Sequence, residues 1–171
     1  MSEAVIRRAD IADADILSAL GGETFAATFS RLYPPDDLAA FLAESHSADA
    51  WGVVLGDERA ATWLMEFDSE AIGYALVGPC GLPHPEASPA HGELKRIYLL
   101  SEWQGGGRGG RLMKTAIDWL EEAYPGPLWI GVWSQNYGAQ RLYERVGFRK
   151  VGEYEFPVGA TRDHEFIFRR G

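Results

Sequence analysis

The segment Gln104-Gly105-Gly106-Gly107-Arg108-Gly109-Gly110 places five glycines within seven residues, with a second arginine at Arg111. Glycine loses more chain entropy on folding than any other residue, so such a run marks a backbone needing unusual dihedrals or a close approach. Hydrophobic patterns put a strand before it and a helix after it. Amides at the start of that helix, with the helix dipole behind them, make an anion site suited to phosphate. Arg108 and Arg111 add positive charge. A flexible turn is the alternative, but a linker is not normally joined so tightly to a strand and a helix.

Two phosphate-binding patterns fail here. Gly105, Gly107 and Gly110 match G-x-G-x-x-G, but the next strand ends in Trp133-Ser134-Gln135-Asn136, without the acid a dinucleotide ribose requires. A Walker loop needs Gly-Lys-Ser/Thr, whereas Lys114-Thr115 follows Met113. Other chemistry is sparse. Cys80 is the only cysteine, which excludes an internal disulfide and a multi-cysteine zinc site, so no metal is expected. It lies in the turn-rich Gly78-Pro79-Cys80-Gly81 and reads as a structural thiol rather than a nucleophile. Of the four scattered histidines, His91 stands next to a strand start and could act as a base at neutral pH.

The elements that position these residues alternate between strand and helix. Val5–Arg8 reads as a strand, and Asp10 as the cap of a helix running to about Leu20, where Gly21-Gly22 should stop it. Glu23–Leu32 is weakly helical, and Asp36 or Asp37 caps a helix to about Ser45 bearing Leu38, Phe41 and Leu42. Trp51–Leu55, Thr62–Phe67 and Ala71–Val77 read as strands, the last two joined by Asp68-Ser69-Glu70. Gly78–Gly92 is a long loop with a functional or mobile character. Glu93–Leu100 is a strand. Leu112, Met113, Ala116, Ile117 and Leu120 have helical spacing up to Tyr124. Leu128–Trp133 is a strand, Ala139, Leu142, Tyr143 and Val146 mark a helix closed by Gly147, and Val151–Phe156 and His164–Arg169 close the chain around Gly159.

A chain of 171 residues fits one domain over 1–171. The net charge of −9 argues against nucleic acid as a partner. Residues 1–102 carry −11 of it, while residues 103–171 carry +2, so one part suits a cation and the other a polyanion. The alternative is an acidic surface serving solubility. No apolar run approaches the ~18 residues of a membrane span, and Arg7-Arg8 precede no secretory apolar stretch. A cytoplasmic location is expected. The six tryptophans would allow an apolar homodimer patch.

Gln104-x-x-Gly107-x-Gly109, directly after Leu94-Lys95-Arg96-Ile97-Tyr98-Leu99, resembles the acetyl-CoA signature of the GCN5-related N-acetyltransferase (GNAT) family. Asn136-x-x-Ala139-x-x-Leu142-Tyr143-Glu144-x-x-Gly147-Phe148 resembles the pattern that family carries on its later strand and helix. Glu93–Tyr98 with Ile130-Gly131-Val132-Trp133 is similar to the PaiA-type spermidine/spermine branch.

The resemblance implies an α+β fold, a twisted, mostly antiparallel mixed sheet of about seven strands flanked by about four helices. The sheet should splay open between Glu93–Leu100 and Leu128–Trp133. Acetyl-CoA, the implied cosubstrate, would lie there, its pantetheine arm on strand amides of Ile97, Tyr98 and Leu99. Its pyrophosphate would sit on Gln104, Gly105, Gly106, Gly107, Arg108, Gly109 and Gly110. Glu93 matches the family's base and Tyr143 its acid toward the coenzyme sulfur. The alternatives are an uninvolved strand-end glutamate, with His91 as base, and a tyrosine that merely packs. Asn136 would cap its helix and also bond the pantetheine arm. The implied activity is acetyl transfer to a primary amine of a small, polyamine-like cation. A peptide N-terminus, or an acetyl-CoA-binding regulator without turnover, stays open.

Overall fold

Residues 2–171 are described by a computed structural model. Short runs of β-formers in the first half zip into an antiparallel meander of β1 (Val5–Arg8), β2 (Ala61–Phe67), β3 (Glu70–Pro79) and β4 (Gly92–Leu99). The β2–β3 turn takes positive φ at Asp68 and Ser69, 49° and 68°, the twist that suits a tight hairpin. The second half adds β5 (Leu128–Trp133), β6 (Arg149–Val158) and β7 (Thr161–Arg170). The order is β1-β2-β3-β4-β5-β7-β6, antiparallel except where β4 meets β5. The expected α+β fold with a seven-stranded, mostly antiparallel sheet is therefore present.

Helices cover both faces, which is why Ala61–Met65 of β2 is buried without alternation. On one face α1 (Ala14–Phe29) and α3 (Ala48–Leu55) bury Leu17, Leu20 and Trp51 against Leu64, Tyr74 and Leu76. On the other, α4 (Arg108–Ala123) buries Leu112, Met113, Ala116, Ile117 and Leu120, the stripe its spacing required. The helix α5 (Tyr137–Arg145) joins that core through Tyr143. The helix α2 (Pro35–Ser45) packs Phe41 beside Phe25, Phe29 and Tyr33 from the end of α1.

Three local expectations change. Gly21-Gly22 does not stop α1, because Gly21 answers a packing demand instead: a Cβ there would stand 2.5 Å from His46 Nδ1. Trp51–Leu55 is helical rather than a strand. Ser47 Oγ accepts from Ala50 N at 3.1 Å as an N-cap, and Trp51, 1% exposed, is locked edge-on to Tyr74. Helix α2 starts on Pro34-Pro35, with Asp36 and Asp37 in its first turn rather than as caps. Asp37 instead reaches the last hairpin, accepting from Ala160 N at 3.1 Å and Thr161 Oγ1 at 2.5 Å. The Gly78–Gly92 loop is pinned over β5 and β7, with Cys80 packed on Trp129 and Ile167. The tryptophans are likewise taken up by packing; none is among the exposed large apolar side chains.

Helix α5 ends on Gly147 in the left-handed region, and Phe148 folds back with its amide on the Tyr143 carbonyl at 3.0 Å. Phe148 is fully buried under α5. Its replacement by Ala is expected to cost about 3–5 kcal/mol of stability, measured by urea unfolding.

Candidate functional site

The parallel pairing of β4 with β5 lasts only from Gly92↔Leu128 to Leu94↔Ile130, although both strands continue. The cause lies in the β3–β4 register, where Leu76 faces Arg96 and Val77 faces Leu94, leaving Lys95 as an extra residue. A bulge bends and twists its strand, and this one turns β4 away from β5 just past Leu94. Backbone groups of β4 beyond that point lack a ladder partner on the β5 side. The opening is the centre of a 930 Å³ groove that runs through the sheet.

The glycine loop forms one end of this groove. Gly105, Gly106 and Gly107 have φ of +86°, +65° and +78°, and Gly107 is the N-cap of α4. Side chains rarely adopt three such conformations in a row, so the loop needs glycine. A Cβ on Gly105, Gly107 or Gly110 would meet nothing within 4 Å, so the space above these residues is open. The first-turn amides of α4 have no intrahelical acceptor. The arrangement fits a diphosphate group. The arginines do not add to it as expected. Arg108 lies over the Trp103 ring and donates to the Gly105 carbonyl at 3.2 Å, while Arg111 donates to the Ala4 carbonyl at 2.9 Å. Gln104 braces the loop by donating to the Leu99 carbonyl at 3.2 Å.

Of the residues expected at the coenzyme, Ile97, Tyr98, Leu99, Gln104, Gly105, Gly107, Gly109, Gly110, Asn136 and Tyr143 line the groove, whereas Gly106 and Arg108 do not. Asn136 Oδ1 caps α5 by accepting from Ala139 N at 3.2 Å. Tyr143 is 6% exposed and packs edge-on to Phe168, so it is both a core residue and a groove residue. Burial, with the nearby Tyr98 and Glu165, pushes its hydroxyl well above the usual phenol range. It therefore stays protonated at neutral pH.

The other half of the groove lies between α1, α2 and the last hairpin. Phe25, Phe29, Phe41 and Trp133 form its walls. Its carboxylates are Glu93, Asp163 and Glu165, two of them from the part of the chain with net positive charge. Glu93 Oε2 accepts from Gly81 N at 2.9 Å and from Lys95 Nζ at 3.2 Å. Asp163 accepts from the Tyr33 hydroxyl at 2.6 Å. Glu165 has no such partner, and burial plus the charge of Asp163 pushes its carboxyl up to about 8. The loop after β3 thus serves this site, supplying the Gly81 amide.

His91 is not brought to the groove; its Nδ1 accepts from Trp129 Nε1 at 3.1 Å. Cys80 is also absent from the lining, and burial pushes its thiol up to about 11, which suits a structural role. The histidine that does line the groove is His46, held neutral by burial, its pKa lowered to about 3. The sequence offered one clue to the Asp163–Glu165 pair: both share a strand face with Ile167, an odd place for acids unless that face borders a cavity. Among the described residues, no cluster of three His, Cys, Asp or Glu could hold a metal ion. No described helix is long and apolar enough to cross a membrane.

Comparison with known proteins converges on this architecture. Residues 23–148 match the description "Acetyltransferase (GNAT) family". An uncharacterized N-acetyltransferase of Lactobacillus delbrueckii subsp. lactis is 30% identical over 152 residues, 89% of this chain and 88% of that protein. A spermine/spermidine N(1)-acetyltransferase of Bacillus subtilis is 29% identical over 93 residues, 53% of this chain and 60% of that protein. Among solved structures, the PaiA N-acetyltransferase from Thermoplasma acidophilum in complex with coenzyme A superposes with a TM-score of 0.77. It is 18% identical, with 98% of each chain covered.

Proposed function

Because the chain belongs to the GNAT family of N-acetyltransferases, whose cosubstrate is acetyl-CoA, we propose that it acetylates a primary amine of a small, polyamine-like cation by direct attack. The observation that carries this reading is the groove where β4 and β5 part. It joins a glycine anion loop to a carboxylate-bearing, aromatic-walled chamber. Bound acetyl-CoA supplies an activated acetyl group as a thioester.

The chain's residues do the rest. Amides of Gly105, Gly107, Gly109 and Gly110 hold the diphosphate at the positive end of α4. Amides of Ile97 and Leu99, which alternation turns to the β5 side while that of Tyr98 faces Tyr74 of β3, take the pantetheine arm, and one of them faces the carbonyl oxygen where negative charge develops. Asn136 retains its Nδ2 for the same arm while its Oδ1 caps α5. Glu93, which lines the groove and has its Oε2 fixed by Gly81 and Lys95, uses its Oε1 to accept a proton from the acceptor nitrogen. Tyr143 gives its proton to the departing sulfur. Cationic acceptors are favoured by the three carboxylates and by the partial similarity to the Bacillus enzyme.

The test is release of free CoA thiol from acetyl-CoA against polyamines, amino acids, short peptides and aminoglycosides. Turnover with spermidine or spermine supports this acceptor. Turnover with peptides alone moves the acceptor to a chain N-terminus, and silence with intact acetyl-CoA binding favours a regulator. Glu93→Gln is expected to lower kcat with every amine that the parent accepts. A kcat equal to the parent's would remove the base role.

A further inference from the structure

The roles above assign no proton step to Asp163 or Glu165, and Asp163 is already engaged by the Tyr33 hydroxyl. Glu165 lies on β7 directly opposite Trp133 of β5 and Tyr154 of β6. Strand alternation sends Phe166 and Phe168 into the core under α4 and α5, so Glu165 faces the acceptor chamber with Asp163. It is 9% exposed, and among the described residues neither hydrogen bond nor ion pair engages its carboxyl. An uncompensated buried carboxylate is costly, and a fold retains one only against that cost. The groups around it are acids and phenols: Asp163 on its own strand, Tyr154 on β6, Tyr98 on β4, Tyr143 on α5 and Tyr33 after α1. Of the cations in the lining, Arg96 donates to the Ser45 carbonyl at 3.4 Å and lies over Trp51, while Lys95 is paired with Glu93. Tyr154 feels both Glu165 and Glu93, and its hydroxyl stands 2.9 Å from where a Cβ of Gly131 would be. Both carboxylates and this phenol line the one groove beside the opened strand β5.

An amine that enters as an ammonium and leaves as an amide loses two protons. The first must go before the nitrogen has a lone pair to attack with. The second goes as the nitrogen–carbon bond forms. We propose that Glu165 takes the first of these protons and Glu93 the second. This assignment rests on the transferase reading above. The ammonium N–H bond breaks, the proton passes to a Glu165 oxygen, and the electron pair stays on nitrogen. Glu165 later returns the proton to solvent through the open groove. The division matches the chemistry of each step. A free alkylammonium holds its proton up to roughly pH 10, so its acceptor should be a raised carboxyl, and burial beside Asp163 raises Glu165. The incoming ammonium also supplies the counter-charge that the site lacks.

The base works deprotonated, so kcat/KM of the parent protein should rise with pH through about 8. Glu165→Gln is expected to lower kcat/KM about 100-fold at pH 7. That loss should shrink to a few-fold near pH 10, its rising limb moving toward the pKa of the acceptor amine itself. Glu93→Gln should keep the limb near 8. A Glu165→Gln loss that is equal at every pH, or a limb unchanged from the parent, overturns the assignment. Carboxyl carbon NMR of the parent with CoA bound reads the same group without turnover. The resonance lost in Glu165→Gln should titrate near 8 and shift on adding n-butylammonium chloride. Ordinary titration, or no shift with the ammonium, overturns it. A parent that releases no thiol with any amine counts against the transferase reading, whereas the NMR outcome counts for or against Glu165.

Discussion

Gly107→Val is expected to weaken acetyl-CoA binding by about 100-fold while leaving the fold intact. Gly107 holds φ +78° at the N-cap of α4, a conformation that is an outlier for a β-branched residue. Keeping it costs about 1–3 kcal/mol, and escaping it turns the loop amides away from the diphosphate. Each lost hydrogen bond to a charged oxygen is worth about 1.5–3 kcal/mol. A free loop that has relaxed must regain the strained conformation on binding or forgo such bonds, at a cost of up to about 3 kcal/mol, which is about two decades in affinity. The helix survives because its buried stripe from Leu112 to Leu120 lies one turn further on. Calorimetric titration with acetyl-CoA measures the effect, and circular dichroism checks the fold. An unchanged Kd would separate the loop from the coenzyme site.

Tyr143→Phe removes one oxygen and is expected to lower kcat about 100-fold, with acetyl-CoA affinity within about twofold of the parent. The ring keeps its contact with Phe168 and its place in the core, so stability should change little. Because burial pushes the phenol above the working range, the parent should show no falling limb from this group between pH 6 and 10. Single-turnover thiol release separates this step from product departure. A kcat equal to the parent's would leave Tyr143 as packing alone.

Much of the architecture was legible because it is local. The α4 stripe repeats with the helical period, and β2, β3 and β5 are short apolar runs bounded by turn residues. Where local pattern and packing disagreed, packing decided. Val53, Val54 and Leu55 favour a strand by type, yet the Ser47 cap and the seat of Trp51 against Tyr74 make that segment a helix. Gly21 looks like a helix stop, but it is small because His46 comes within 2.5 Å of where its Cβ would be.

The candidate site divides in the same way. Residues 104–110 announced an anion loop by themselves, since positive φ in three successive residues must be written in glycine. The motif with Tyr143 and Asn136 pointed to one wall of the groove. The chamber opposite was invisible. It exists because a single extra residue at Lys95 bends β4 away from β5, and because α1 and α2 bring their aromatics to the far hairpin. Glu165, at the other end of the chain from those helices, acquires its burial and its raised pKa only from that assembly. Backbone conformation is set by neighbours in sequence, so the chain alone determined the glycine loop. A carboxylate's solvation is set by neighbours in space, so only the tertiary structure decided which acids line the groove.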